Sequence, residues 1–401
     1  MEGSWRRNLL VLWIGVFFCS TAYSIVIPFL PLFLRDELGV HEHVEAWSGV
    51  VFGISFLASA LIAPFWGSLA DKYGRKPMLL RSGLSLAMLY FVTYFVHHPV
   101  ELMAVRICQG LLAGYVPSAI AMVGTNTPEN KVGYALGVMA TSNAVGSIVG
   151  PMLGGFVSSW VGNREAFLVA GGVVFLSFVI AWAFAKEENF KPAAKRSGVI
   201  NDIRELSHNK LLMSVLVIVS IVSASVMIVE PLLTLYVLEL GVSGSDAKVT
   251  AGIIFSAVGV ATALAAPQWG ELGTKFGYGR ILMIGLIGGG VGNLLQLVFH
   301  HYVAFGVLRF SYGLFFAGVY PALNALIVQT TAPEYRGRAF GLNQSFNQLG
   351  IMIGPMLGGF LGGFVSIPFV FALNGAALIA IALIIRTRRI DEAAARLHGS
   401  Q

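Results

Sequence analysis

Three ionisable residues of this 401-residue sequence stand within long apolar stretches. Glu230, directly before Pro231, lies deep in a predicted membrane helix, where an unpaired charge costs at least ~2.5–3.5 kcal/mol. Arg106 and Arg309 lie within two other such stretches. A carboxylate that alternates between neutral and charged forms is what proton coupling requires. We therefore predict that Glu230 is the proton-coupling residue and that Arg106 and Arg309 are the cations that could stabilise its charged form.

Two of these residues also have a purely structural interpretation. Glu230 could stay neutral and hydrogen-bond to backbone groups that Pro231 leaves free. Arg106 could extend toward Glu101, five residues earlier, and so reach the edge of the membrane. The sequence leaves both alternatives open.

The composition excludes a soluble domain. Apolar residues make up 56% of the chain and charged residues 11%, whereas soluble domains average about 25% charged residues. Cys19 and Cys108 lie in apolar stretches, so no disulfide or cysteine metal site is predicted. The formal charge of +6 is dispersed along the chain, which argues against a nucleic-acid partner. Without a G-x-x-x-x-G-K-[ST] loop we expect no ATP hydrolysis, and we predict no enzyme activity, cofactor or metal.

Recurring apolar segments of roughly 20 residues predict an all-α membrane protein with twelve transmembrane helices. Placing both termini in the cytoplasm assigns 21 of the 26 Lys and Arg residues to that side and three to outer loops. This asymmetry satisfies the positive-inside rule and predicts a multi-pass protein of a bacterial cytoplasmic (inner) membrane. The predicted segments are 9–34, 46–69, 77–97, 100–123, 133–160, 165–185, 211–238, 249–270, 280–299, 302–327, 339–365 and 368–385.

The second half of the sequence repeats the first, and Arg309 follows Arg106 by 203 residues. The segments IVIPFLPLFL and APFWGSLADKYG correspond to IVEPLLTLYV and APQWGELGTKFG, and GPMLGGF occurs twice. Two parallel six-helix repeats predict a substrate site between them near the middle of the membrane. The predicted domains are a bundle over 1–185, a cytoplasmic linker over 186–210, and a bundle with a short basic tail over 211–401.

Two glycine motifs accompany these helices. Between the second and third predicted helices, Gly67, Asp71, Gly74 and Arg75 belong to the run GSLADKYGRK, where glycines permit a tight turn. On the fifth helix, glycines every four residues next to a proline make a flat face for close helix packing. Its residues are Gly146, Gly150, Pro151, Gly154 and Gly155, and Gly354 and Pro355 repeat it on the eleventh.

These motifs resemble those of the major facilitator superfamily over the whole chain. GSLADKYGRK matches G-x-L-A-D-x-x-G-R-K, and RICQG from Arg106 matches R-x-x-Q-G. The helix-five motif resembles that of the twelve-helix drug–proton antiporters, and WRRNLLVLWIG, APFWGSLAD and NQSF favour one narrower group of multidrug efflux proteins. The resemblance implies gating by Asp71 and its motif, and proton relay or cavity charge for Arg106. It also implies a coupling acid on helix seven, which Glu230 matches.

The implied activity is export of lipophilic or amphipathic compounds in exchange for protons by alternating access, powered by the proton gradient. The implied partners are small amphipathic or cationic substrates, protons and the bilayer, with the transporter acting as a monomer. Two alternatives stay open, a dedicated exporter or flippase of a physiological lipid or sugar and a non-transporting sensor or scaffold. Aromatic and amide side chains that could line the cavity, each also compatible with packing or lipid contact, are Trp13, Phe17, Tyr23, Tyr115, Asn143, Tyr236, Phe316, Tyr320 and Asn347.

Overall fold

The computed structural model describes residues 2–128, 131–187, 209–331 and 335–388, and every regular element in these ranges is helical. The first half contains α1 (Glu2–Ile25), α2 (Leu30–Leu32), a π-helical turn (Phe33–Glu37), α3 (Val44–Tyr73), α4 (Arg75–Thr93), α5 (Pro99–Leu112), α6 (Tyr115–Asn126), α7 (Val132–Val161) and α8 (Asn163–Phe184). The second half contains α9 (Lys210–Met227), α10 (Leu233–Glu239), α11 (Gly244–Phe276), α12 (Tyr278–Leu295), α13 (Tyr302–Phe316), α14 (Val319–Gln329), α15 (Arg336–Phe364) and α16 (Ile367–Arg388).

Ten segments within the described residues are long and apolar enough to cross a membrane, with α5–α6 and α13–α14 each counted as one. They coincide with ten of the twelve predicted segments. The other two predicted segments, 77–97 and 339–365, form α4 and α15. Most of the predicted linker, residues 188–208, lies outside the described residues.

Four segments that the sequence predicts as continuous helices are interrupted, and there the prediction is wrong. The interruptions fall at 26–29, 113–114, 228–232 and 317–318, so each site in the first half has an equivalent in the second. Pro28 and Pro231 explain one pair, since proline removes a backbone donor. Gly114 has a φ of +134°, a conformation that favours glycine.

The described residues form two compact units. Unit 1 contains those of Met1–Lys195 together with Ser243–Ser256, and unit 2 contains those of Arg196–Val242 and Ala257–Gln401. Within unit 1, α1 packs against α7 and α4 packs against α8. Within unit 2 the equivalent helices pair in the same way, α9 with α15 and α12 with α16. The internal sequence repeat is therefore also a repeat of helix packing.

The glycine faces make the closest of these helix contacts. On α7, a Cβ at Gly150 would lie 2.7 Å from the Thr21 carbonyl oxygen of α1, and one at Gly154 would overlap the carbonyl oxygen of Ile25. On α15, equivalent Cβ atoms would meet the backbone of α9 in the same way. The predicted packing role of the glycine motif thus has defined partners. A side chain at any of several glycines on this face would force α7 away from α1 or α15 away from α9. These glycines are Gly146, Gly150, Gly154, Gly350, Gly354 and Gly358.

The two prolines and Gly155 of the helix-five motif are also packed against neighbouring helices or buried. Pro151 and Pro355 lie inside α7 and α15 and are buried. Gly155 points away from α1, and a Cβ there would lie 2.5 Å from the carbonyl oxygen of Lys248 at the start of α11, within unit 1. The helix-five motif therefore supports close packing on two sides of α7.

Candidate functional site

Glu230 lies in the interruption between α9 and α10. Its backbone N–H donates to the carbonyl of Met227 over 3.2 Å, a turn rather than a regular helical bond, and Pro231 follows it. The side chain is partly buried. Interrupted helices are where many membrane transporters place ion and substrate sites, because half-helix ends and unwound carbonyl groups there can face the ligand. The candidate coupling acid therefore lies at a helix interruption within unit 2.

The carboxyl group of Glu230 has no polar partner among the residues that the structure describes. It forms no ion pair with a described Lys, Arg or His, and it makes no hydrogen bond to the backbone near Pro231. The alternative of a structural, hydrogen-bonded acid therefore finds no support in this geometry. An unpartnered acid can gain or lose a proton without breaking an existing contact.

Unit 1 has the same interruption without the acid. Residues 26–29 separate α1 from α2, and Ile27 occupies the position equivalent to Glu230 with 5% of its surface exposed. Gly154 lies against Ile25 at the edge of this interruption, and Gly358 lies against Ile228 at the edge of the other. Sequence reasoning missed Gly358 as a site residue, although its spacing from Gly354 was a usable signal.

The two membrane arginines are buried with amide partners. Arg106 is 3% exposed and its Nη1 donates to Oε1 of Gln109 over 3.2 Å, while its Nη2 has no described partner. Glu101 instead accepts hydrogen bonds from the backbone N–H groups of His97 and His98. The predicted alternative, in which Arg106 extends to Glu101, is therefore not the arrangement found.

Arg309 has an equivalent setting in unit 2. It is 6% exposed, its Nη1 lies 3.4 Å from Oδ1 of Asn293, and its guanidinium lies 4.8 Å from the ring centre of Tyr312. Within the described part of the chain neither arginine pairs with a carboxylate. Arg309 and Glu230 thus belong to the same unit but form no ion pair here.

The candidate substrate-binding residues fall into three groups, the first of which is aromatic residues of α1. Trp13 stacks on Phe17 with ring centres 5.7 Å apart and donates its indole N–H to Thr141. Tyr23 packs edge-on against Phe56. These side chains are partly buried and retain accessible surface. They remain candidates for contact with an apolar substrate.

Two of the candidates are asparagines at equivalent positions with equivalent partners. Ser20 donates to Oδ1 of Asn143 over 2.7 Å in unit 1, and Ser223 donates to Oδ1 of Asn347 over 2.5 Å in unit 2. The Tyr320 hydroxyl lies 3.5 Å from Ser223. Each unit therefore presents an amide that is oriented by a serine of its first helix.

The remaining candidates lie in the interior of their units. Tyr115 is 1% exposed and donates its hydroxyl to the carbonyl of Ser177. Tyr236 is 3% exposed and packs with Phe305 and Phe371, and Phe316 is 5% exposed. In this structure the three side chains pack the core rather than offer a surface. Apolar periodicity cannot distinguish these two situations in a membrane helix.

The predicted gating loop contains an unexpected helix cap. Gly74, with φ of +99°, separates α3 from α4, and Glu187, beyond the end of α8, accepts the backbone N–H groups of Arg75 and Lys76 over 2.8 and 2.9 Å. A carboxylate at a helix N-terminus satisfies free donors and complements the helix dipole. Gly67 lies exposed on α3, and the side chain of Asp71 lies outside the described residues.

Replacing Glu187 by alanine should destabilise the protein by about 1–2 kcal/mol, because two N–H groups at the start of α4 lose their acceptor. The measurement is the thermal unfolding midpoint of the purified protein in detergent. Glu271→Ala is the matched control, since Glu271 is exposed on α11. Equal midpoints for the two variants would contradict a capping role for Glu187.

Tryptophan side chains bridge the other pair of interruptions. Trp66 donates its indole N–H to the carbonyl of Leu111, and Trp269 donates to that of Leu314, each over 2.7 Å. In unit 1 the guanidinium of Arg81 also stacks 3.5 Å from the centre of the Trp66 ring and donates to the carbonyl of Ala113. These donors satisfy carbonyl groups that the interruptions leave free.

Comparison with known proteins agrees with this architecture. The chain is 38% identical over 353 residues to the Multidrug resistance protein MdtG of Yersinia enterocolitica, covering 86% of this chain and 84% of that protein. It is also 38% identical to MdtG of Escherichia coli, covering 86% of both chains. The narrower resemblance carried by the sequence motifs is confirmed by these relatives.

Solved structures show the same fold. The nucleoside transporter NupG superposes with a TM-score of 0.78 at 14% identity, covering 95% of this chain and 98% of that one. A bacterial homologue of the human lysosomal transporter Spinster gives 0.77 at 14% identity, covering 98% and 99%. The model of the Major Facilitator Superfamily matches residues 12–262 and 246–399. The chain therefore belongs to the Major Facilitator Superfamily.

Proposed function

We propose that this multi-pass membrane protein is a proton-driven multidrug exporter that works by alternating access. The observation that carries the proposal is Glu230, an acid without a described partner at the interruption of a membrane helix. The names of the MdtG relatives support multidrug efflux as the activity. The proposed substrates are small lipophilic or amphipathic compounds, including cations.

The proposed arrangement is twelve transmembrane helices with both termini in the cytoplasm of a bacterial inner membrane, acting as a monomer. The helices α4 and α15 complete the twelve, although their polar residues distinguish them from the ten more apolar segments. In the proposed cycle, a proton binds Glu230 from the outer side and accompanies the return to the inward-facing state. Substrate then competes with the proton from the inner side.

The function is tested by efflux of a fluorescent lipophilic cation from energised cells that express the protein, with and without a protonophore. We expect export against the concentration gradient that stops when the protonophore collapses the proton gradient. Cells with the empty vector supply the background rate. Export that continues unchanged with the protonophore would contradict proton coupling. Absence of export across a chemically varied dye panel would contradict the multidrug activity and favour a dedicated lipid or sugar substrate.

A further inference from the structure

An open cavity of about 640 Å³ lies where α3, α4 and α8 reach the end of their apolar segments. It is lined by Tyr73, Lys76, Pro77, Leu80, Lys186 and Glu187. The apolar segment of α3 ends at Ala70 and that of α8 ends at Phe184. The cavity therefore lies at the depth where a membrane helix passes from the hydrocarbon core into the lipid headgroups.

The charges around the cavity are unbalanced in favour of cations. The one carboxylate in its lining, Glu187, is engaged by the two backbone N–H groups at the start of α4. Lys76 donates to the carbonyl of Trp182 over 3.3 Å, and neither Lys76 nor Lys186 forms an ion pair with a described residue. The ammonium of Lys72 lies 5.0 Å from the centre of the Tyr73 ring at the rim. Glu187 keeps its negative charge, so the two lysines against one carboxylate leave the described lining with a net positive charge for an anion to meet.

The backbone that carries Lys186 is fixed on two sides. The backbone N–H of Lys186 donates to Oδ1 of Asn8 over 3.0 Å. Its carbonyl accepts one hydrogen bond from Nδ2 of Asn8 over 2.9 Å and another from Nδ2 of Asn126 over 3.3 Å. These contacts tie the segment after α8 to α1 and α6. A site that is already ordered loses less entropy when a ligand binds.

Large exposed aromatic side chains lie at the helix ends near Lys76 and Lys186 on the surface of unit 1. Trp182 is 63% exposed and Phe184 is 58% exposed on the last turn of α8, and Tyr73 is 58% exposed at the end of α3. Exposed aromatic residues at the end of a membrane helix lie among lipid headgroups. Apolar surface directly beside a cationic cavity suits a ligand with an anionic head and acyl chains.

We propose that this cavity is a binding site for the phosphate headgroup of an anionic phospholipid. Basic cavities between membrane helices recognise such headgroups through their lysines. A zwitterionic headgroup brings an ammonium that the two lysines repel, so it gains less from the net positive lining than an anionic headgroup does. A soluble phosphate makes no use of the exposed aromatic rim.

The test is native mass spectrometry of the purified full-length transporter in mild detergent with added phosphatidylglycerol, phosphatidylethanolamine or inorganic phosphate. The double variant Lys76→Gln/Lys186→Gln removes the two charges of the cavity. The control double variant Lys210→Gln/Lys275→Gln removes two exposed lysines at the start of α9 and near the end of α11. Lys76→Arg/Lys186→Arg keeps the charges and shows whether the site tolerates substitution.

We expect the Lys76→Gln/Lys186→Gln variant to bind phosphatidylglycerol roughly 30-fold more weakly than the parent. The control pair and the arginine pair should bind it as the parent does, and phosphatidylethanolamine should bind weakly to all four proteins. Equal phosphatidylglycerol binding by the parent and the glutamine pair would overturn the site. Displacement of the lipid by an equal concentration of inorganic phosphate would show a phosphate site and overturn the lipid as its ligand.

Discussion

Glu230→Gln should abolish uphill export while leaving exchange of substrate across the membrane intact. The amide has nearly the shape of the protonated acid but cannot release a proton, so the step driven by the proton gradient is lost. One proton crossing a potential of 100 mV supplies ~2.3 kcal/mol, enough for about a 50-fold gradient of an uncharged substrate. In reconstituted vesicles with an imposed proton gradient, the substrate concentration ratio that the variant reaches should fall to about one, the value without coupling.

The control for this variant is Glu271→Gln, the same chemical change at an exposed position of α11. It should export as the parent does. Exchange of labelled for unlabelled substrate, measured without a proton gradient, separates loss of coupling from loss of folding. If Glu230→Gln still concentrates substrate, Glu230 has no part in coupling. The proposed efflux function would then stand, and another group would have to carry the proton.

Gly154→Ala and Gly358→Ala should each destabilise the protein by about 2–3 kcal/mol, because the added methyl group overlaps a backbone carbonyl of the neighbouring helix. The neighbours are Ile25 of α1 and Ile228 of α9. Backbone atoms cannot turn aside as a side chain can, so the helices must move apart. The thermal unfolding midpoint in detergent should fall by roughly 5–10 °C.

The same helices supply matched controls. Gly137 on α7 and Gly341 on α15 have no atom near the position that a Cβ would take. Alanine at either should leave stability unchanged or raise it by up to about 1 kcal/mol, since alanine favours a helix more than glycine does. An unfolding midpoint of Gly154→Ala that equals that of Gly137→Ala would refute the role of the glycine face in close packing.

The sequence predicted those parts of the fold that depend on local composition and on repetition. The apolar segments of the described ranges are helices, and the GPMLGGF copies lie in two helices with the same kind of partner. The sequence placed Asn143 and Asn347 at matching positions, and the structure adds that each accepts a hydrogen bond from an equivalent serine, Ser20 or Ser223. Residues that recur with their neighbours occupy recurring environments, and this is why such features can be inferred.

The features that the sequence did not predict depend on distant contacts. Glu187 caps a helix that begins 112 residues earlier, and no local pattern connects the two. Tyr115 and Tyr236 are of a residue type that is common in binding cavities, but their burial depends on which neighbouring helix each one meets. The interruption at Glu230 was signalled by Pro231, yet a proline only bends many membrane helices, so its effect depended on the tertiary context.

Trp66 and Trp269 place a fluorescent side chain at each of two equivalent interruptions. Each indole is hydrogen-bonded to a carbonyl at its own interruption, so a change of helix direction there alters the surroundings of one fluorophore. The guanidinium of Arg81 covers the Trp66 ring, whereas the position equivalent to Arg81 in unit 2 is Ile284. A stacked cation perturbs indole emission and an isoleucine does not. Trp269 is the only one of the seven tryptophans in the second half of the sequence, so native fluorescence from that half reports on its interruption, whereas Trp66 shares the first half with five other tryptophans and is read as the difference left by Trp66→Phe.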